Sequence, residues 1–191
     1  MSTSERIYWI SHPDQLALLH SGLRQEIVDV VCVSGPCSIA ELGAYLGRAP
    51  NTLYYHVRML VEAGLLLEAG TRGEGRSEEQ TYATPSRHMQ LDTRERDPEK
   101  DAHFVKIAAG AMRAAARDLK ATLERGEPLG KGQGKHTGYT RTKGWLTKDD
   151  VARVNRLLDE ITSIYLHGER RPGARLASFT SCRSRLHASD E

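Results

Sequence analysis

The sequence predicts an α+β fold in two parts. Residues 1–90 read as a unit of short helices closed by a β-hairpin, and residues 91–191 as a helical or α/β module. Three observations carry this. Apolar residues recur at helical spacing between 16 and 64. Glycine and proline cut that stretch into short pieces. Two β-rich runs then flank a Gly-rich turn at 65–84.

The first element is "HPDQLALLHSGLRQEIVDVVCVSG", where Leu16, Leu19, Leu23, Ile27, Val30 and Val31 fall near helical spacing. Asp14 is read as the cap of a first short turn, and Gly22 as its separation from the main helix. Gly35-Pro36 stops that helix. In "CSIAELGAYLGRA", Ser38 and Glu41 have the spacing of a capping box. Ile39, Leu42 and Leu46 form the apolar stripe, and Gly47 ends it. Pro50 fits the first position of the next helix, although Ala49 is a poor N-cap. Two short helices joined by a tight glycine turn make a helix-turn-helix.

The second helix of that motif, "APNTLYYHVRMLVEAGLL", separates its residues on a helical wheel. Leu53, Val57, Leu60, Val61 and Gly64 share one face. Asn51, Tyr55, Arg58 and Glu62 lie opposite, flanked by Thr52 and Tyr54. The polar groups crowd the N-terminal turns, the end that meets base edges when such a helix enters a major groove. Asn pairs with adenine and Arg with guanine, while Thr and Tyr reach phosphate or the thymine methyl. An ordinary amphipathic surface helix has the same polarity. "LLLEAGTRGEGRSEEQTYAT" tilts the balance towards DNA, because Leu65–Glu68 and Gln80–Thr84 pair as a hairpin with Arg72 and Arg76 at its tip. Such a basic wing contacts phosphate or a minor groove, and Glu74, Glu78 and Glu79 dilute it.

In the second part, a helix is expected from about Lys100 to Arg125. Its Ala-rich stripe is Phe104, Ala108, Ala111, Met112, Ala115, Leu119 and Leu123. "TGYTRTKGWL" reads as a weak strand. Thr147 and Asp150 form a second capping box for a helix from Lys148 to about His167, with Val151, Val154, Leu158, Ile161 and Tyr165 on its face. "LASFTSCRSRLH" reads as a terminal strand. Neither apolar helix face suits an exposed surface. The first is assigned to a second copy of the chain and the second mainly to the chain's own core. A purely helical arm with a disordered tail is the competing reading of this part.

Composition narrows the class. With 39% hydrophobic and 27% charged residues, the 191-residue chain is globular rather than disordered. No apolar run spans a membrane, and the N-terminus lacks a basic-then-apolar signal layout. Three cysteines suit a reducing cytoplasm. Residues 1–90 carry 7 Arg, no Lys and 10 Asp+Glu, a net −3, whereas 91–191 carry +5. DNA binding by the first part must therefore rest on arrangement rather than bulk charge.

The order "LHSGLRQEIVDVV", "SIAELGAYLGRAPNTLYYHVRMLVEAGLL", "EGRSEEQTYA" resembles the winged helix-turn-helix domain of the arsenical-resistance-repressor-like (ArsR-like) regulators over about residues 12–88. The resemblance implies a DNA-binding regulator that works as a dimer. It puts "NTLYYHVRML" in the recognition helix, with His56 at that family's habitual histidine, either on a phosphate or buttressing the core. The metal chemistry of some members does not carry over. "SIAELGAYLG" has no cysteine, and Asp101 and His103 lack a following His or Glu pair at helical spacing. Cys32 and Cys37 lack a common zinc spacing, so no metal and no cofactor is expected.

Enzyme motifs are missing too. There is no phosphate loop, nucleophile elbow or HExxH, and "GKGQGKHTGYTRTKG" lacks phosphate-loop spacing. The leading reading is a homodimeric, sequence-specific regulator, most simply a repressor. It binds double-stranded DNA through Asn51, Thr52, Tyr54, Tyr55, Arg58, Arg72 and Arg76, and residues 91–191 serve dimerisation and leave room for a small-molecule effector. Two alternatives stand: a metal- or redox-responsive regulator using Cys32 and Cys37, and a winged-helix protein-interaction module that binds no DNA.

Overall fold

The computed structural model describes residues 7–95, 97–126, 137–168 and 171–184. Strand β1 (Tyr8–Ile10) leads into helices α1 (Pro13–Leu18) and α2 (Gly22–Ser34). Then come β2 (Cys37–Ser38), α3 (Ile39–Leu46) and α4 (Tyr54–Glu62). The hairpin β3 (Leu67–Arg72) and β4 (Glu79–Ala83) is followed by β5 (Met89–Leu91) and the long helices α5 (Pro98–Glu124) and α6 (Lys148–Leu166). The fold is thus α+β, a helix-turn-helix unit followed by a helical region.

The start and stop signals act locally, as the residue types dictate. Ser38 and Glu41 close the capping box of α3. Gly47 ends that helix in the left-handed conformation, φ 61°, which glycine adopts without a Cβ penalty. One cap differs from expectation. His12, not Asp14, caps α1: its Nδ1 accepts from the Asp14 backbone N–H at 3.3 Å. Pro13 takes the first helical position, so the residue before it becomes the cap.

Leu16, Ile27, Val31, Leu42, Leu53, Val57, Leu60, Leu65 and Leu66 are fully buried in one core. Leu65 and Leu66 enter it directly, so the hairpin begins only at Leu67. β4 is the centre of a three-stranded antiparallel sheet in the order β2-β4-β3, with Leu67 opposite Ala83 and Arg72 opposite Glu79. β1 and β5 pair in parallel, Trp9 opposite Gln90.

The long helices pack differently from each other. α5 lies on α1 and α2 of its own chain. Ile107 is buried in the shared core, and Phe104 packs against it. A Cβ on Gly22 would meet the Gly110 carbonyl oxygen at 3.5 Å. Gln25 Nε2 donates to the Ile107 carbonyl at 3.0 Å, and Arg117 pairs with Glu26. α6, expected in the chain's own core, has no buried residue. Helical spacing identifies an apolar face but not the surface that covers it. Residues 137–147 and 171–184 form no strand, unlike the reading of "TGYTRTKGWL" and "LASFTSCRSRLH"; the last three residues of the latter lie outside the described residues. Among the described residues, neither segment joins a sheet. Phe179 instead stacks on Tyr165 of α6, ring centroids 5.9 Å apart.

Candidate nucleic-acid interface

The two helices of the motif meet through a tight turn that Gly43 permits. A Cβ there would lie 2.7 Å from the Arg48 carbonyl oxygen and 3.2 Å from Pro50 Cγ. Sequence reasoning passed over this residue. Its one signal was a glycine inside a helix, which costs about 1 kcal/mol against alanine unless packing requires it. The Arg48 backbone N–H donates to the Gly43 carbonyl at 2.9 Å, which fixes the turn.

Pro50–Thr52 form a 3-10 turn, and α4 proper starts at Tyr54. Asn51 and Thr52 therefore precede the α-helix rather than occupying its first turn. Without a side-chain cap at Ala49, the tighter turn satisfies the first backbone groups. Thr52 Oγ1 donates to the Ala49 carbonyl at 2.7 Å. Its hydroxyl is thus turned back on the chain, and its methyl is left for outside contacts.

The wheel's sorting is realised. Leu53, Val57 and Leu60 are buried, which fixes α4's rotation. Asn51, Thr52, Tyr54, Tyr55 and Arg58 are all exposed, with Tyr54 at 61% and Tyr55 at 57%. The Arg58 guanidinium lies 5.8 Å from the Tyr55 ring centroid, and its Nε is 3.6 Å from Glu62. An exposed pair of this kind contributes roughly 0–1 kcal/mol, so a DNA partner can displace it. His56 is half-buried, edge-on to Tyr55. Its Nδ1 is buried with no hydrogen-bond partner among the described residues. Burial, with the nearby Arg24 and Arg48 charges, lowers its pKa and favours the neutral ring.

The wing arginines are not equivalent. Arg72 does not point freely from the hairpin: it donates to Glu41 Oε1 at 2.8 Å and to the Pro36 carbonyl at 2.9 Å. Arg76 falls on a 3-10 turn at the tip, Gly75–Ser77; its side chain lies outside the described residues. Arg48, which the sequence reading did not select, is exposed at the turn before α4. Its signal was position, a cation between the two helices of the motif.

All three cysteines are free, and Cys32 and Cys37 are buried. Cys32 Sγ donates to the Arg87 carbonyl at 2.8 Å. Burial, reinforced by Glu41, pushes the Cys37 thiol up to about 11, so it stays protonated at neutral pH and is a poor metal ligand or nucleophile. Among the described residues, no group of three His, Cys, Asp or Glu is placed to hold a metal ion, and no helix is long and apolar enough to cross a membrane.

Residues 11–69 match the family model described as a helix-turn-helix domain. The match runs from α1 into β3 and covers the motif and its turn but not the wing tip. No curated protein matches the chain. A helix-turn-helix domain is the kind through which transcriptional regulators bind DNA.

Proposed function

We propose that this chain is a sequence-specific transcriptional regulator of the ArsR-like type, not an enzyme, and that it represses as a homodimer. The observation that carries the reading is the end of the recognition helix. Asn51, Tyr55 and Arg58 are exposed there, while Leu53, Val57 and Leu60 anchor the same segment in the core. Polar groups suited to base edges thus sit on α4 and on the 3-10 turn leading into it, both fixed by the buried residues. One such helix reads only a few base pairs, and a dyad supplies a second, with half-sites about 34–36 Å apart. The apolar side chains left exposed on the long helices, among them Val105, Met112, Leu157 and Ile164, favour a second copy.

The test is selection of bound sequences from random duplexes, followed by measurement on the recovered site. A pseudo-palindrome is expected. Asn51→Ala and Arg58→Ala should each cost about 1–3 kcal/mol in specific binding and less on random DNA. Unchanged affinity for the selected site in both variants would remove the assignment.

A further inference from the structure

We propose a second DNA contact, outside the helix-turn-helix, made by the segment Tyr139–Lys148 on the phosphate backbone of the same duplex. This rests on the DNA-binding reading above. Residues 1–90 carry net −3, whereas affinity for duplex DNA comes largely from cations that displace condensed counterions. Several N-terminal arginines are already engaged with protein. Arg72 lies on Glu41 and donates to the Pro36 carbonyl, and Arg24 donates to the Leu18 carbonyl. The recognition surface thus has reading groups but little of the charge that holds a duplex.

The missing charge lies in one stretch. Residues 128–148 contain Lys131, Lys135, Arg141, Lys143 and Lys148 and no Asp or Glu. Of these, Arg141, Lys143 and Lys148 are exposed. None of the three is in an ion pair among the described residues. Tyr139 and Trp145 bracket Arg141 and Lys143 and are 73% and 92% exposed. A tryptophan that open to water on a chain's own surface is uncommon. Tyr139, Arg141, Lys143 and Trp145 alternate in sequence, so drawing the segment out along a duplex brings all four to one side. Cations then reach phosphates while the rings cover sugar edges. Because phosphate carries no sequence, this contact adds affinity rather than specificity.

The experiment uses the full chain and a labelled 30-base-pair random duplex, with affinity measured by anisotropy between 50 and 200 mM salt. The double variant Arg141→Gln, Lys143→Gln should lower the slope of log affinity against log salt by about two, on random and selected sites alike. In a Trp9→Phe background Trp145 is the only tryptophan, and its emission should change on adding duplex. A parent and variant that bind with the same slope would overturn the second contact and leave the helix-turn-helix reading intact. A parent that binds no duplex would overturn both. Tighter binding of a deoxythymidine single strand than of duplex, lost in Trp145→Ala, would replace the duplex assignment by base stacking.

Discussion

Glu41 holds two structures together with its two carboxylate oxygens. One accepts from the Ser38 backbone N–H at 2.8 Å and completes the capping box of α3, and the other accepts from Arg72 at 2.8 Å. The wing is thereby tied to the N-terminus of the helix preceding the recognition helix. A cap and a cross-link in one side chain can be separated by a conservative change.

Glu41→Gln keeps a side chain that can serve the capping box but removes the charge facing Arg72. Arg72 then becomes available to phosphate, so the salt slope of DNA binding should steepen by about one. Glu41→Ala should also lose about 1 kcal/mol of stability. A slope unchanged in Glu41→Gln, by titration at several salt concentrations, would mean that Arg72 never leaves its seat.

Gly110→Ala tests the seam between α2 and α5. The added Cβ would lie 2.8 Å from Gln25 Nε2 and 3.3 Å from the His20 carbonyl oxygen. Overpacking of this kind costs about 1–3 kcal/mol. Part of the loss should return in the double variant Gly110→Ala, Gln25→Ala, because the amide is the nearer atom. Strictly additive losses in urea titrations of the four proteins would refute the clash.

His20 and His103 join the turn between α1 and α2 to α5, with Nε2 and Nδ1 2.9 Å apart. A hydrogen bond between two ring nitrogens needs at least one of them unprotonated. Burial first, then the His103, Lys106 and Arg24 charges, lowers the His20 pKa. Its folded value thus lies below the unfolded one of about 6.5, and below that pH the unfolded chain binds more protons. Stability should be full above this value and decline as pH falls through it towards the folded pKa. Carboxylates at Asp97 and Glu99 and the Lys100 ammonium line the same hollow as His103 and set the background. The urea midpoint should drop between pH 7.5 and 5.5, and by less in His20→Gln. An equal drop in parent and variant would place the titration elsewhere, His56 being the next group to replace.

Thiol labelling should follow burial. Cys182 is exposed, whereas Cys32 and Cys37 are buried, and the raised Cys37 pKa leaves little thiolate. Iodoacetamide at pH 8 should modify Cys182 in the native protein and reach the other two only with denaturant. Native modification of Cys32 or Cys37, read by mass spectrometry, would revive a redox role.

The residues from Leu16 to Leu66 specified their own structure. Ser38 and Glu41 announced a capping box, Gly47 a stop, and Leu53, Val57 and Leu60 the buried side of the recognition helix. Each is a local signal whose partner lies within a turn or two, so spacing alone reveals it. The exposure of Asn51, Tyr55 and Arg58 followed from the same periodicity. What only the tertiary structure decided involves partners far apart in sequence. Arg72 looked like a free wing cation, yet its carboxylate lies on α3. One side of α5, at Ile107 and Gly110, closes on α2 of the same chain, a contact that the stripe read from spacing did not include. The face of α6 looked internal, yet it holds no buried residue. Periodicity records that a side must leave water; which surface receives it depends on shape and on pairs between distant helices such as Glu26 with Arg117, which no single helix encodes.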